Sequence, residues 1–368
     1  METQLGPQPV PAAGATRFLL GGEAYWSQEW FDREQDELFS HTWHLVASEA
    51  DLPEPGSFVT YTAGRDPLVV TRDLDGRLRA FHNLCSHRAM PVAEGCGQSR
   101  SGLVCPYHFW SFGLDGSLRK VPQPEQFPDL DRADWGLAPA AVGTWGGLVF
   151  VHPDADTAPL ADFMGPFPQR IGSHRPELLT EVAHVPIEAR CNWKLFIENH
   201  VDVYHLWYLH ARTLAAADHD RFEWAQLGPH WVSYEPLRTA TTARRPQAGA
   251  TVVGHLAERD RDGVGAHALF PNILMASEAQ YFITYACRPV APDRSLIDLR
   301  IRAEPGADAD ALIAGATSFM LEDVAACEGM QRNVRSNRFR VGPMAVDHER
   351  PITLFHEHVL AALGETVA

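Results

Sequence analysis

Two cysteines and two histidines alternate along the first half of the sequence. Cys85 is followed by His87, and after seventeen further residues Cys105 is followed by His108, which gives C-x-H and then C-x-x-H. Zinc sites usually group their cysteines in one pair and their histidines in another. The alternating order favours a dinuclear iron–sulfur cluster with two Cys on one iron and two His on the other, and leaves structural zinc as the alternative. Trp110 is predicted to shield the cluster.

A second group of chemically active residues lies in the segment 192–210, which is predicted to be helical. Asp202, His205 and His210 give the pattern D-x-x-H-x-x-x-x-H. Asp202 and His205 would share a helical face, but His210 would lie about 140° from His205. Both histidines can bind one ion only if the helix ends, bulges or kinks near Tyr208. The alternative is a helix that simply packs against a core.

A mononuclear Fe(II) that activates O₂ uses two histidines and one carboxylate and keeps positions open. The carboxylate must come from another part of the chain. The predicted helix 319–331 supplies three acids, Glu322, Asp323 and Glu328. The residue types alone do not choose among them.

The elements around these motifs change along the chain. From about Gly56 to Val151, short alternating runs separated by Gly-containing turns predict a small all-β domain. A Pro-containing segment, 153–168, is predicted to be the linker out of it. Beyond Glu188, strand-like runs and helices do not alternate regularly, which indicates an α+β domain. Helices are also predicted at residues 23–47 (short), 308–331 and 351–364.

Composition excludes some classes of function. The formal net charge of −16 argues against nucleic-acid binding. No apolar run is long enough to span a membrane, and no signal peptide is recognisable, so a cytoplasmic enzyme with no membrane partner is expected. The remaining cysteines are interpreted as ordinary buried or half-buried thiols: Cys96, Cys191, Cys287 and Cys327.

Both motifs, with the flanking segments CSHR…CPYHFWSFGLDGSLRKVP, NWKLFIENH, FPN (270–272) and EDVAACEGMQ, resemble the α (oxygenase) subunits of Rieske non-haem iron ring-hydroxylating oxygenases. The resemblance covers most of the chain. It implies an α+β fold with a Rieske [2Fe-2S] domain at 41–155 and a helix-grip catalytic domain with mononuclear iron at 156–368. Residues 1–40 would pack on the catalytic domain.

The resemblance also implies roles for individual residues. Cys85, His87, Cys105 and His108 would bind one [2Fe-2S] cluster, and His205, His210 and Asp323 would bind one mononuclear Fe(II). Asp202 would bridge subunits for electron transfer, with contacts to His205 and to the His108 of the next subunit in a homotrimer. Electrons would come from NAD(P)H through a flavin reductase, a ferredoxin, or both.

The expected reaction is insertion of oxygen from O₂ into a small, aromatic or largely apolar substrate, by mono- or dihydroxylation. Asp at the bridging position often accompanies aromatic substrates in such relatives, whereas Glu is frequent with quaternary amines. Glu198 stands where several aromatic dioxygenases place an amide, a departure from their pattern.

Oxidative N- or O-demethylation and quaternary-amine monooxygenation are the alternatives in the same family. An electron-transfer Rieske protein and a zinc-stabilised binding module are the alternatives outside it. Six apolar residues are candidates for the substrate pocket: Phe196, Val203, Leu206, Phe270, Ile273 and Phe282.

Overall fold

The computed structural model of the protein describes residues 16–239 and 251–365. These residues form two compact units. The larger unit lies within Met1–Arg33 and Met164–Ala368, and the smaller one lies within Glu34–Phe163.

The described residues up to Arg33 contact the larger unit, and the smaller unit begins at Glu34. The helix expected at 23–47 is broken into short pieces. Helix α1 covers Gln28–Arg33, a π-helical turn follows at Glu34–Leu38, and the first strand begins at His44.

The smaller unit is all-β. Its strands are His44–Ser48 (β1), Ser57–Ala63 (β2), Asp66–Arg72 (β3), Leu78–His82 (β4), Cys96–Gln98 (β5), Leu103–Val104 (β6), Ser111–Phe112 (β7), Leu118–Lys120 (β8), Pro139–Trp145 (β9) and Leu148–His152 (β10). One antiparallel sheet has the order β1-β10-β9-β4-β3-β2-β5, and a small sheet has the order β6-β7-β8.

Short hairpins place the cluster motifs in this unit. Strand β4 ends three residues before Cys85, and β6 ends one residue before Cys105. Asp73 closes the hairpin between β3 and β4, because its Oδ1 accepts hydrogen bonds from the backbone N–H groups of Asp75 and Arg77. Both cluster motifs therefore lie on loops at strand ends.

The larger unit is built on a seven-stranded antiparallel sheet. Its strands are Thr180–Ala189 (β11), Glu223–Leu227 (β12), His230–Pro236 (β13), Gly263–Leu269 (β14), Ile273–Glu278 (β15), Tyr281–Ala291 (β16) and Arg294–Ala303 (β17). Their order in the sheet is β11-β17-β16-β15-β14-β13-β12. The helices that follow α1 along the chain are Leu160–Met164 (α2), Phe167–Arg170 (α3), Trp193–Val201 (α4), Glu258–Arg261 (α5), Ala309–Asn333 (α6) and Arg350–Ala362 (α7).

Helix α4 packs against α6, α7 and β16, and α6 also contacts β11. An antiparallel sheet with a long helix across it is the predicted helix-grip arrangement, so the α+β prediction is confirmed. The segment 153–168, predicted to be a linker, contains α2 and the start of α3. Among the described residues, no helix is both long and apolar enough to cross a membrane.

The helix predicted over 192–210 ends much earlier, at Val201. Asn192 caps its start by accepting a hydrogen bond from the Lys194 backbone N–H at 3.0 Å. At the other end Asp202 is extended, with ψ of 123°. The next amide, that of Val203, bonds to the His348 carbonyl at 3.1 Å instead of continuing the helix. A tertiary hydrogen bond thus overrides the helical pattern of the sequence.

Candidate active site

Two loops with the same backbone geometry carry the first motif. The amide of Cys85 bonds to the Met90 carbonyl, and the amide of Cys105 bonds to the Trp110 carbonyl, both at 2.9 Å. Four residues after each cysteine, Ala89 and Phe109 both have positive φ, 57° and 59°. Non-glycine residues adopt this conformation at an energetic cost that the surrounding structure must offset. The same strained conformation recurs at equivalent positions of the two loops.

The loops bring the four predicted cluster residues together. The Cys85 and Cys105 side chains are 3% and 1% exposed and lie beside each other. Ring centroids of His87 and His108 are 4.6 Å apart, and His87 stacks on Trp110 with an interplanar angle of 9°. Trp110 thus covers one face of the ring of His87, a candidate cluster ligand.

The electrostatics of this group fit a metal cluster. Burial and the neighbouring Cys105 raise the pKa of the Cys85 thiol, while burial and the neighbouring His108 lower the pKa of His87. Nδ1 of His87 is buried and has no hydrogen-bond partner among the described residues. Such a nitrogen is costly unless something else binds it. Two thiols and two imidazoles facing one another form a donor set that suits a Rieske cluster.

The second motif forms a compact group although its helix is broken. One donor atom each from His205, His210 and Asp323 lies within 4.8 Å of the others. Asp323 Oδ1 is 2.8 Å from His210 Nε2 and 3.6 Å from His205 Nε2. Asp323 belongs to α6, whereas the histidines lie in the turns that follow α4. Asp323 Oδ1 is buried without a well-aligned hydrogen-bond partner among the described residues. Two imidazoles and a carboxylate on one side of a cavity fit a mononuclear non-haem iron.

Each histidine of this group turns its second nitrogen to another carboxylate. His205 Nδ1 lies 3.2 Å from Asp202 Oδ2, and His210 Nδ1 lies 2.8 Å from Glu322 Oε2. Thr213 donates to the same Glu322 oxygen at 2.7 Å and, with His210, holds the pKa of Glu322 below its usual value. Glu322, one of the three candidate acids, therefore contacts a ligand candidate from behind. Glu328 instead accepts a bond from the Arg190 backbone.

The pKa of His210 responds to these carboxylates. Burial alone would lower it, but Asp323 and Glu322 outweigh burial and raise it. A cation in place of the proton would experience the same attraction, because metal ions and protons compete for such nitrogens.

A cavity opens beside these three residues, with an empty volume of about 1050 Å³ that includes its mouth. The candidates Phe196, Val203 and Leu206 line it. Phe282 does not line the cavity. Tyr281 and Tyr285 on the same strand do line it, and neighbouring side chains of a strand point to opposite faces of the sheet. Phe270 and Ile273 are also absent from its walls.

The cavity wall also contains residues that sequence reasoning missed. These are Asn199, His200, Phe222, Trp231, Glu235, Glu278, Tyr281 and Tyr285. Only Asn199 and His200 are close in sequence to a motif. Phe222 precedes a strand and the others lie in strands, and which face of the sheet they occupy becomes known only once the strands are paired.

Glu198 is not near the metal donors in the way its sequence position suggested. It accepts hydrogen bonds from the Tyr25 hydroxyl at 2.7 Å and from His356 Nε2 at 2.9 Å, away from the cavity. The neighbouring residue, Asn199, places an amide in the cavity wall. In this chain Asn199, and not Glu198, is the residue that lines the cavity.

Cys191, Cys287 and Cys327 are buried, as expected, but Cys96 is exposed.

Comparison with known proteins identifies both units. A family model for the ring hydroxylating alpha subunit (catalytic domain) matches residues 176–365, and a model for the Rieske [2Fe-2S] domain matches residues 42–135. Choline monooxygenase from Spinacia oleracea is 27% identical over 347 residues, which cover 90% of this chain and 75% of that protein. The glycine betaine monooxygenase oxygenase subunit of Pseudomonas aeruginosa is 31% identical over 188 residues, 51% of this chain and 44% of that protein.

Solved structures share the fold. A quaternary ammonium Rieske monooxygenase superposes with a TM-score of 0.81 at 22% identity, over 94% of this chain and 95% of that one. Naphthalene 1,2-dioxygenase from Rhodococcus sp. superposes with a TM-score of 0.76 at 21% identity, over 94% of each chain.

The predictions of a [2Fe-2S] cluster and a mononuclear iron are thereby confirmed, as is the prediction of an oxygenase. The chain belongs to the Rieske non-haem iron oxygenases, as an oxygenase α subunit.

Proposed function

We propose that this protein is the oxygenase component of a Rieske monooxygenase whose substrate is a small cation with a quaternary or N-methylated ammonium group. The observation that carries the proposal is a cavity that combines aromatic rings with carboxylates beside the candidate iron ligands. The names of the choline, carnitine and glycine betaine monooxygenases among its relatives agree with it.

The cavity chemistry suits such a cation. Trp231 and Phe222 stack with ring centroids 6.1 Å apart in its wall, and Tyr281 adds a third ring. Cations bind over aromatic faces, best over Trp, and this mode recognises quaternary ammonium groups that cannot donate hydrogen bonds. Two acids, Glu235 and Glu278, supply negative charge. The net charge of −16 also attracts cations to the protein.

An aromatic or largely apolar substrate, the class expected from the sequence, is the second candidate. Asp202 at the bridging position and the fold shared with naphthalene 1,2-dioxygenase favour it. The two acids of the cavity wall, Glu235 and Glu278, disfavour it, since an apolar substrate cannot interact favourably with a carboxylate.

In this proposal Cys85, Cys105, His87 and His108 hold the cluster, and His205, His210 and Asp323 hold the mononuclear iron. When bound, the cluster supplies single electrons and the iron activates O₂. Asp202 and Glu322 fix the orientation of the two histidine rings, so that both Nε2 atoms face one point at the cavity wall. The cavity opens beside this point and can admit substrate and O₂.

Exposed aromatic side chains mark two surfaces that suit an assembly between copies of the chain. Tyr107 and Phe109 on the cluster loops are 54% and 66% exposed, and Tyr204 and Tyr208 near Asp202 are 48% and 71% exposed. Large exposed rings are typical of contact surfaces. We propose a homotrimer in which one subunit's cluster loops dock beside the next subunit's Asp202, with a flavin reductase or ferredoxin as the external electron donor.

The test begins with anaerobic purification and metal analysis, where about three irons per chain are expected. The protein with a surrogate reductase and NADH is then offered choline, carnitine, glycine betaine and naphthalene, and both O₂ uptake and product are measured. Oxygenated product from one of the amines supports the proposal, whereas product from naphthalene alone supports the second candidate.

Two variants test the cavity assignment. Trp231→Leu and Glu235→Gln should each raise the KM for the amine about tenfold, by weakening the cation–π and ionic attraction. Iron content should not change. An unaltered KM in both variants would contradict the cationic substrate.

A further inference from the structure

A tyrosine and a histidine that line the oxygenase cavity form a hydrogen-bonded pair. The Tyr285 hydroxyl lies 3.2 Å from His200 Nδ1. Tyr285 belongs to β16 and His200 to the last turn of α4, so the pair connects the sheet to the helix that precedes the candidate iron ligands. Both residues belong to the cavity wall. The direction of the hydrogen bond between them decides what Tyr285 offers to a ligand in the cavity.

The other ring nitrogen of His200 fixes this direction. His200 Nε2 lies 3.1 Å from the backbone carbonyl oxygen of His267, which can only accept a hydrogen bond. Nε2 must therefore carry a hydrogen. Burial lowers the pKa of His200 to about 4, so its ring is neutral near pH 7 and carries no second hydrogen. Nδ1 is consequently an acceptor, and the Tyr285 hydroxyl donates to it.

Tyr285 then acts toward the cavity only as an acceptor. Among the described residues, His200 is the one hydrogen-bond partner of its hydroxyl. A phenol oxygen that donates its hydrogen still has lone pairs that accept hydrogen bonds. Burial and the Asp323 carboxylate raise the pKa of Tyr285, so the phenol stays neutral near pH 7. A ligand thus meets an oxygen with partial negative charge, which favours a hydrogen-bond donor over an acceptor.

The pair lies close to the candidate iron ligands and to the proposed cation site. In addition to burial, Asp323 contributes to the raised pKa of Tyr285, and His205 contributes to the lowered pKa of His200. The centroid of the His200 ring is 6.0 Å from that of Trp231 and 5.4 Å from that of Tyr285. Trp231, proposed above to bind the cation, and Tyr285 are therefore neighbours of the same ring.

We propose that Tyr285 is a specificity-determining residue whose phenol oxygen accepts a hydrogen bond from the substrate, so that the favoured cation carries a hydrogen-bond donor of its own. The donor is the N–H of a protonated N-methylated amine or the hydroxyl of an amino alcohol. His200 is a positioning residue, because it holds the hydrogen of Tyr285 away from the substrate. This inference rests on the proposed function and narrows its substrate class.

Two pairs of cations that differ in one hydrogen-bond donor provide the first test. Choline is compared with its O-methyl ether, and protonated N,N-dimethylethylamine is compared with ethyltrimethylammonium. Dissociation constants are measured by calorimetric titration of the metal-loaded protein without reductase. We expect the donor-bearing cation of at least one pair to bind about tenfold more tightly, since its partner leaves the phenol oxygen without a hydrogen bond. The pair that shows the preference identifies the donor as O–H or N–H.

Two results of this titration would be unfavourable, and they have different meanings. Equal affinity within both pairs would overturn the donor preference while leaving the cationic substrate class intact. Failure of all four cations to bind would overturn the proposed substrate class, and the donor preference with it.

Tyr285→Phe removes the oxygen and keeps the ring. We expect the affinity for the donor-bearing cation to fall about tenfold and the affinity for its donor-free partner to stay near the wild-type value, so that the preference disappears. A purely structural role of Tyr285 would weaken both members of a pair equally. A preference that persists in Tyr285→Phe would overturn the assignment.

Two substitutions of His200 test its positioning role. In His200→Leu the Tyr285 hydroxyl loses its acceptor and can turn its hydrogen toward the cavity, so the preference for a donor should shrink. His200→Asn supplies a side-chain oxygen that can accept from Tyr285 in place of Nδ1, and the preference should be retained. An unchanged preference in His200→Leu would contradict the positioning role.

Tyr234→Phe is the matched control. Tyr234 lies in the same sheet, on β13, and its hydroxyl donates to the Arg259 backbone carbonyl at 2.8 Å. It does not line the oxygenase cavity. Loss of this hydroxyl should leave the affinities for all four cations near their wild-type values. Equal loss of the preference in Tyr234→Phe and Tyr285→Phe would overturn the proposal.

Discussion

At the scale of single residues, each of the two candidate histidine ligands of the iron lies beside a carboxylate. His205 and His210 direct one nitrogen to the metal site and the other to a carboxylate, that of Asp202 or Glu322. A carboxylate behind a ligand histidine fixes its ring orientation and raises its basicity. In the proposed function Asp202 and Glu322 orient the two histidines, and these two roles can be tested separately.

Asp202→Asn tests the proposed bridge. Asp202 uses one oxygen to accept from the Tyr204 amide at 2.6 Å and places the other beside His205 Nδ1. An asparagine has a single acceptor oxygen and cannot serve both groups. We expect both metals to be retained while product formation falls by about 10–100-fold. Iron analysis and product yield measure the two effects.

Asp220→Asn is the control for this bridge, because Asp220 accepts a bond from the nearby Trp207 indole but contacts no candidate ligand. Its activity should remain near that of the wild type. Full activity in Asp202→Asn would contradict the bridging role.

Glu322→Gln tests metal retention. Loss of the carboxylate behind His210 should weaken binding of the mononuclear iron by about 10–100-fold, while the cluster stays intact. The measurement is iron content after dialysis against a chelator, with cluster absorbance recorded in parallel. Glu328→Gln, on the same helix but bonded to the Arg190 backbone, should lose no more iron than the wild type. Equal iron loss in the two variants would show that Glu322 has no special role.

The candidate metal-binding residues could be predicted from the sequence wherever residue type and spacing alone indicate the chemistry. The order of Cys85, His87, Cys105 and His108 predicted four side chains that the structure brings together. The choice of Asp323 over Glu322 could not come from spacing, because the two are adjacent acids on one helix. It depends on which side of α6 faces the histidines, and that is set by tertiary packing.

At the scale of elements, periodic segments were predicted well and interrupted ones were not. Helix α6 was expected at 308–331 and lies at Ala309–Asn333. The segment after Val201 has helical periodicity, yet Val203 bonds to the distant His348 carbonyl. A long-range hydrogen bond of this kind cannot be predicted from the residues next to it in the sequence. The same interruption allows His205 and His210 to converge, which a regular helix would prevent.

A substitution in the turn before Cys105 tests how strictly the backbone of this turn fixes the position of the cluster loops. Gly102 has φ of 98°, and a Cβ there would lie 2.1 Å from the Phe112 backbone oxygen. Backbone cannot move aside as a flexible side chain can. Gly102→Ala should therefore destabilise this unit by about 3 kcal/mol or more. Loss of cluster absorbance on heating measures the effect.

Gly95→Ala separates backbone strain from steric overlap. Gly95 also has positive φ, 66°, but a Cβ there would meet nothing within 4 Å. The expected loss is only about 1–2 kcal/mol, the cost of the left-handed conformation. Equal melting temperatures for Gly102→Ala and Gly95→Ala would show that overlap with the Phe112 backbone does not destabilise the Gly102 variant.

At the scale of the whole molecule, the two metal sites belong to separate compact units, and each exposes aromatic side chains close to its metal residues. Tyr107 and Phe109 next to the cluster ligands, and Tyr204 and Tyr208 next to Asp202, would be unfavourable as permanently solvated surfaces. In the proposed homotrimer, contact between copies of the chain would cover both surfaces with one type of interface. A closed ring satisfies this requirement for every subunit.

Mixed oligomers can test whether electrons cross between subunits. Cys105→Ser removes a cluster ligand, and His205→Ala removes an iron ligand, so homo-oligomers of either variant should be inactive. Co-expression with two different affinity tags yields mixed oligomers, in which an intact cluster of one subunit can face an intact iron site of the next. Tandem purification with the two tags isolates the mixed oligomers. We expect them to form product at a substantial fraction of the wild-type rate. Simple mixing of the two purified variants, without subunit exchange, should stay inactive. Mixed oligomers that hold both metals but form no product would show that each subunit uses only its own cluster.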